Sequence, residues 1–318
     1  MTASTKLAPV NEAISARGLT KSFGGTSVLR GLDFAVPTGS VFCLLGSNGA
    51  GKSTTIRILT TLLKPDSGSA TVAGYDVVRQ ARHVRQHVAL TGQAAAVDDL
   101  LTGRENLTLA GELFHSPVPE IRACALVEQF GLTDAADRRA GSYSGGMRRR
   151  LDIAMGLTGK PDVIFLDEPT TGLDPQNRIQ MWRIIDGLAA DGTTVFLTTQ
   201  YLDEAERLAA RVAILHEGRI IAQGTPAELR AGLPGGRITF AVASSADLDE
   251  AVDTLAQWHP VADPVHMAVT ISTDGSFADS ARAIGCLDGV GVVSMEESQV
   301  SLEDVFLNLV EPPHASEV

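Results

Sequence analysis

Nine residues constrain this chain more than any others: Gly46-Ser47-Asn48-Gly49-Ala50-Gly51-Lys52-Ser53-Thr54. They match G-x-x-x-x-G-K-[ST], a loop that works only between a buried strand and the first turn of a helix. Both flanks are present. Val41–Leu45 is an unbroken apolar run, and a helical pattern opens at Gly51 and stops before Lys64-Pro65. Glycines at 46, 49 and 51 let the backbone curl so that successive N–H groups point inward at phosphate oxygens. The helix N-terminus adds partial positive charge. Lys52 reaches the outer phosphates, and the Ser53 hydroxyl is placed to ligate Mg²⁺.

A loop of this kind implies α/β architecture, and the rest of the chain agrees. Short aliphatic runs at Ser40–Leu45, Asp162–Leu166, Thr194–Thr198 and Arg211–Leu215 alternate with amphipathic helical patterns. That alternation suggests a sheet that is at least partly parallel. Asp174 caps a helix with Pro175 at its first position, ending at Ala190 before Gly192. The 318 residues suggest about two domains, and the Gly- and Pro-punctuated run Gly232–Gly236 is the linker between them. The expected organisation is a loose tail over 1–13, a nucleotide domain over 14–231 and a small α+β domain over 237–310. In the last, Ile238–Val242 and His266–Ser272 read as strands, and Ala246–Gln257, Phe277–Cys286 and Leu302–Val310 as helices.

Val163-Ile164-Phe165-Leu166-Asp167-Glu168 ends an apolar strand in two adjacent carboxylates. Consecutive strand residues face opposite ways, so the pair can divide two tasks. Asp167 would hold the metal, and Glu168 would orient and deprotonate a water attacking the terminal phosphate. Tyr143-Ser144-Gly145-Gly146 opens another helical pattern and offers a second set of N–H donors beside a hydroxyl. One chain already has its phosphate loop, so a second phosphate-facing surface calls for a second nucleotide.

At this point the chain resembles the ATP-binding subunits of ABC transporters. Gly46–Ser53 looks like the Walker A loop, Val163–Asp167 with Glu168 like Walker B, and Ser144-Gly145-Gly146 like the signature motif. Gln93 resembles the Q-loop glutamine, a metal-shell residue, and Gly172-Leu173-Asp174 the D-loop, with Asp174 near nucleotide. Phe23 stands where the family stacks an aromatic on adenine. The resemblance implies an α/β P-loop domain with a helical subdomain over about 94–158, ATP and Mg²⁺ as ligands, and hydrolysis of ATP. It also implies pairing head to tail with a second copy and a separate membrane-spanning permease as partner.

Where the general family has a histidine, this chain has Gln200. Glutamine can donate an N–H to a phosphate oxygen but cannot become cationic. That exchange, the Met147–Leu151 run and Ser301–Phe306 resemble the daunorubicin-resistance-type drug-export subfamily. A small amphiphilic drug or antibiotic is then the expected cargo. The alternative is an ABC-type ATPase with a mechanical or regulatory task, but such proteins pair two nucleotide domains in one chain or insert a coiled coil.

Charge and composition narrow the remaining classes. With 26 Lys plus Arg against 38 Asp plus Glu, the net charge of −12 disfavours nucleic acid as a partner. Arg148-Arg149-Arg150 is accordingly read as a solvated face or dimer-edge ion pairs. Cys43, Cys124 and Cys286 lack metal-ligand spacing, and Cys43 reads as a buried hydrophobe. The first 12 residues lack the apolar stretch of a secretory signal, and no stretch suffices to span a bilayer. A location on the cytoplasmic face of the membrane, held there by the permease, is expected.

Overall fold

The computed structural model describes residues 12–92, 96–231, 235–298 and 301–310. The chain divides into two compact units, Met1–Pro226 and Ala227–Val318. The division falls ahead of the Gly232–Gly236 run and of the boundary read at 231, because helix Pro226–Ala231 goes almost wholly with the second unit. Residues 232–234 of that linker, and Gln93 with the two residues after it, lie outside the described residues.

The first unit begins with β1 (Glu12–Phe23), β2 (Thr26–Pro37), β3 (Val41–Leu45), α1 (Lys52–Leu59), β4 (Ser67–Val72), β5 (Tyr75–Asp76), α2 (Ala81–His87) and β6 (Val88–Thr91). Three helices follow, α3 (Gly103–Leu113), α4 (Pro119–Gln129) and α5 (Gly145–Gly156). The chain then runs through β7 (Val163–Asp167), α6 (Pro175–Ala190), β8 (Thr194–Thr199), α7 (Leu202–Leu208), β9 (Arg211–His216) and β10 (Arg219–Gly224) into α8 (Pro226–Ala231).

Two sheets share one core. The first is antiparallel, in the order β2-β1-β4-β5. Its long hairpin turns at Gly24-Gly25, where positive φ at both residues suits a tight turn that follows strand twist. The second has the order β10-β9-β3-β8-β7-β6 and is parallel except for β10. Ile14, Leu32 and Phe34 from the first sheet meet Phe42, Phe165 and Phe196 from the second and Ile56 and Leu59 from α1. Four phenyl rings form a pile through this core, with centroids 5.5 Å apart for Phe34–Phe42, 5.4 Å for Phe42–Phe196 and 5.5 Å for Phe165–Phe196. Aromatics are only 5% of the chain, so their concentration beneath the parallel strands matters. Phe42, Phe196 and Phe165 come from β3, β8 and β7, so the pile packs these three neighbouring strands against the first sheet. Helix α1 is shorter than expected: it stops at Leu59, and Thr61 adopts φ 66°.

The second unit has its own core and its own sheet. It runs β11 (Arg237–Val242), α9 (Ser245–Thr254), β12 (Val261–Asp263), β13 (Ala268–Ser272), α10 (Phe277–Cys286), β14 (Val292–Ser298) and α11 (Leu302–Val310). The antiparallel order β12-β13-β11-β14 with this connectivity is the βαββαβ, ferredoxin-like arrangement. Ile238, Phe240, Leu248, Leu255 and Ile271 fill its core. Trp258 belongs to the same core and donates from Nε1 to Asp279 Oδ1 at 3.2 Å.

Candidate functional site

The site forms at the carboxyl ends of β3, β8 and β7, the edge where open parallel sheets bind ligands. Strand β8 lies between the other two, with Thr198 opposite both Leu44 of β3 and Asp167 of β7. Register therefore sets the phosphate loop and the two carboxylates side by side. Gly46 N–H donates to Thr199 O at 3.1 Å, joining the start of the loop to the end of β8.

The loop has the geometry its glycines predicted. Gly49 and Gly51 have φ 81° and 114°, a region costly for residues with a Cβ. A Cβ on Gly46 would sit 2.4 Å from Leu215 O, and one on Gly51 2.6 Å from the Leu29 side chain. Ser47, Asn48 and Gly49 are exposed along the loop, while Ala50 is buried. Lys52 is nearly buried and folds back, donating from Nζ to Gly46 O at 2.7 Å and Ser47 O at 3.1 Å. Its ammonium also lies 3.2 Å from Glu168 Oε1. Ser53 and Thr54 follow on the first turn of α1, half-buried.

Asp167 is buried, and its Oδ1 accepts from Thr198 Oγ1 at 2.6 Å. Glu168 leaves the strand with φ 49°, the left-handed region, and its N–H donates to Thr198 O at 3.1 Å. Thr171 Oγ1 donates to Glu168 Oε2 at 3.2 Å. Glu168, Gln200, Asn48 and Gly145 line one cleft of about 650 Å³. A phosphate chain of nucleotide size fits such a cleft.

Donor chemistry also suits a magnesium-bound phosphate. The Ser53 hydroxyl and the Asp167 carboxylate are hard oxygen ligands, and Mg²⁺ commonly takes one or two protein oxygens and completes its shell with phosphate and water. Among the described residues there is no cluster of three or more His, Cys, Asp or Glu able to hold a metal by itself.

Helix α5 brings the other motif. Ser144 is its N-cap, with Oγ accepting from Met147 N–H at 3.3 Å, which leaves the hydroxyl hydrogen to donate elsewhere. Asp174 caps α6, accepting from Asn177 N–H at 2.9 Å. That hydrogen bond holds its carboxyl below the usual range. Asn177 in turn packs so tightly on Gly146 that a Cβ there would lie 2.4 Å from Asn177 Oδ1. Phe23 is exposed beside the hairpin turn, with Lys21 Nζ 5.5 Å from its ring centroid. It is not among the residues lining the cleft.

One expectation is overturned. Arg148-Arg149-Arg150 is not a solvated face. Only Arg148 is partly exposed, paired with Asp99 at 2.6 Å. Arg150 is buried and donates to Phe130 O at 2.9 Å and Gly131 O at 3.2 Å. Arg149 is largely buried against β7, and burial lowers its pKa while Asp152, Asp167 and Glu204 raise it. Residues 149 and 150 point inward, and most of the carbonyls that accept from them are far away in sequence.

Sequence reasoning missed one buried charged group behind the site. Glu204 of α7 is fully buried, and its Oε1 accepts from Trp182 Nε1 at 3.3 Å. Trp182 is half-buried on α6, with Arg178 over its ring. Cys43 is buried as expected, and burial, followed by the Glu204 charge, pushes its thiol well up.

The sequence matches the family described as ABC transporter over residues 29–171. Daunorubicin resistance ATP-binding protein DrrA2 of Streptomyces coeruleorubidus is 48% identical over 306 residues, covering 93% of this chain and 94% of the relative. Daunorubicin/doxorubicin resistance ATP-binding protein DrrA of Streptomyces peucetius is 45% identical, covering 95% and 93%. Among solved structures, an ATP-binding subunit of an ABC transporter superposes with a TM-score of 0.63 at 29% identity, over 69% of this chain and 92% of that one. The chain therefore belongs to the ABC transporter family, as an ATP-binding, ATP-hydrolysing subunit of the daunorubicin-resistance type.

Proposed function

We propose that this chain powers export of a small amphiphilic molecule, a drug or antibiotic, through a separate membrane subunit. The observation that carries the reading is the meeting of Lys52 and Glu168 across the ends of two strands, 3.2 Å apart. A phosphate seated on the loop takes up the ammonium of that pair and leaves the carboxylate beside it to activate the attacking water. Among the described residues no helix is long and apolar enough to cross a membrane, and the relatives' names carry the words daunorubicin and doxorubicin resistance.

In this reading the N–H groups of Gly46–Thr54 and Lys52 hold the β- and γ-phosphates, Phe23 stacks on adenine, Asp174 acts near the nucleotide, and Gln93 is assigned to the metal shell. Ser53 and Asp167 hold Mg²⁺, which when bound neutralises charge on the phosphate oxygens. Glu168 takes the proton of the attacking water. Gln200 donates its amide to the γ-phosphate, orienting it without carrying charge. Ser144, Gly145 and Gly146 face the nucleotide of a second copy, so ATP joins two chains and its hydrolysis releases them. The exposed Leu100, Leu113 and Ile121 of the helical region suit contact with the membrane subunit on its cytoplasmic face. Residues 237–310 serve as an accessory, regulatory domain in addition to the nucleotide domain of 14–231.

Glu168→Gln tests the central assignment. ATP turnover is expected to fall by roughly 10²–10⁴ with ATP still bound and the chain trapped as a dimer. Turnover at the wild-type rate would remove Glu168 from the mechanism.

A further inference from the structure

The backbone of Glu168 is held in an unfavourable place. Its φ of 49° is rare for a residue with a Cβ, and the following Pro169 further disfavours helical-type backbone at this position. Such a conformation persists only where the surroundings over-determine it. One surrounding group is Thr198, whose carbonyl receives the Glu168 N–H. The other is Arg149. Its Nη2 donates to Asp167 O at 2.9 Å, its Nε to Pro169 O at 3.2 Å, and its Nη1 to Gly92 O. The peptide plane between Asp167 and Glu168 is thus held at both ends, by Arg149 on its C=O and by Thr198 on its N–H. Asp152 completes the arrangement. Its Oδ2 lies 3.5 Å from Arg149 Nη1, and its Oδ1 accepts from Ala96 N–H at 2.9 Å.

A buried guanidinium is not needed to fill this space, since an aliphatic side chain would pack at lower desolvation cost. What arginine alone supplies is a rigid fork of donors, and two of its three carbonyl acceptors flank the same residue. We infer that Arg149 is a positioning residue for hydrolysis, holding Glu168 in its left-handed backbone so that the carboxylate points at the phosphate site. Arg149 belongs to the helix that begins at Ser144, so the fork also ties the second phosphate-facing motif to this chain's own base. The inference rests on Glu168 being that base.

The test is a cycle of Arg149→Met, Glu168→Gln and the double variant in the full chain. Steady-state ATP turnover, affinity for a fluorescent ATP analogue and thermal midpoint are measured for each. Arg149→Met is expected to lower turnover by about 10- to 100-fold, the scale of a misplacement near 1 Å, with analogue affinity within about twofold. Arg149→Lys, with one donor centre instead of a fork, falls between the two on a logarithmic scale. In the Glu168→Gln background Arg149→Met has no further effect, because it acts through a base already removed. Losses that multiply in the double variant, or affinity falling in step with turnover, would overturn the inference and leave Arg149 a structural residue. Should Arg149→Met fail to fold, the same split is read on Arg149→Lys, where wild-type turnover overturns it. Glu168→Gln alone retaining turnover would instead sink the reading of the base.

Discussion

Lys52 and Glu168 form an ion pair 3.2 Å long, with both side chains almost out of solvent. In the proposed mechanism the lysine that binds phosphate is therefore already shared with the carboxylate assigned to activate water. Removing the carboxylate charge frees the ammonium for phosphate oxygens. Glu168→Gln is expected to bind ATP several-fold more tightly than wild type, and Glu168→Asp, whose shorter arm loosens the pair, to fall between. Titration with a non-hydrolysable ATP analogue measures this. Equal affinities would mean that the pair does not compete with nucleotide.

Tyr143 precedes the Ser144-Gly145-Gly146 run at the start of α5, and the fold has made room for it. Its hydroxyl donates to Ala135 O at 2.7 Å, and a Cβ on Gly103 would lie 2.1 Å from that oxygen. Gly103→Ala is expected to cost about 1–3 kcal/mol by overpacking. Adding Tyr143→Leu is expected to return part of that loss, as coupled neighbours do. Denaturant unfolding of the single and double variants checks the coupling; additive losses would refute it.

Thr198 ties two strands and both carboxylates together. Thr198→Val keeps the shape and removes the donor to Asp167 Oδ1. Leaving that buried carboxylate short of a hydrogen bond is expected to cost about 1–3 kcal/mol. The Mg²⁺ concentration needed for half-maximal turnover is expected to rise as well. A stability loss with an unchanged Mg²⁺ requirement would separate Asp167 from the metal.

Glu204 makes stability depend on pH with a definite sign. Burial raises its pKa, and the Trp182 donor only partly offsets this, with a net upward shift. In the unfolded chain the group titrates near 4.5. Above that value the folded protein holds a proton that the unfolded chain has lost, so stability falls as pH rises toward the raised pKa. Glu204→Gln removes this slope. The wild-type melting temperature is expected to fall relative to that of Glu204→Gln as pH rises from about 4.5 upward. Parallel melting curves across pH would show that Glu204 is ionised at no cost.

The phosphate loop and the paired carboxylates could be read from the chain because each is a local object. The glycines, the lysine and the flanking strand lie within a few residues of one another, and the strand ending at Glu168 announces itself by its apolar run. What distance hides is which residues share a partner. Nothing local to Arg149 or Arg150 signals that their acceptors are the carbonyls of Gly92, Asp167 and Pro169, or of Phe130 and Gly131. A negative overall charge argued for a solvated triplet, yet backbone carbonyls carry no formal charge and do not enter that count. Glu204 was hidden for the same reason, since an acid on an amphipathic helix looks like a surface residue until Trp182 is found beside it. The Gly24-Gly25 hairpin was within reach of turn chemistry. Its pairing with β4 was not, because antiparallel register across the intervening residues leaves no local trace.

The two tryptophans of this chain fall one to each compact unit, and each indole donates to a carboxylate, Trp182 to Glu204 and Trp258 to Asp279. The protein thus carries two separable optical reporters without any label. Replacing Trp258 by phenylalanine leaves emission from the nucleotide unit alone, from the indole beside Glu204 of α7. Replacing Trp182 leaves emission from the ferredoxin-like unit alone. Stopped-flow fluorescence of the two variants can then time events in each half independently, from a single polypeptide and in the same buffer.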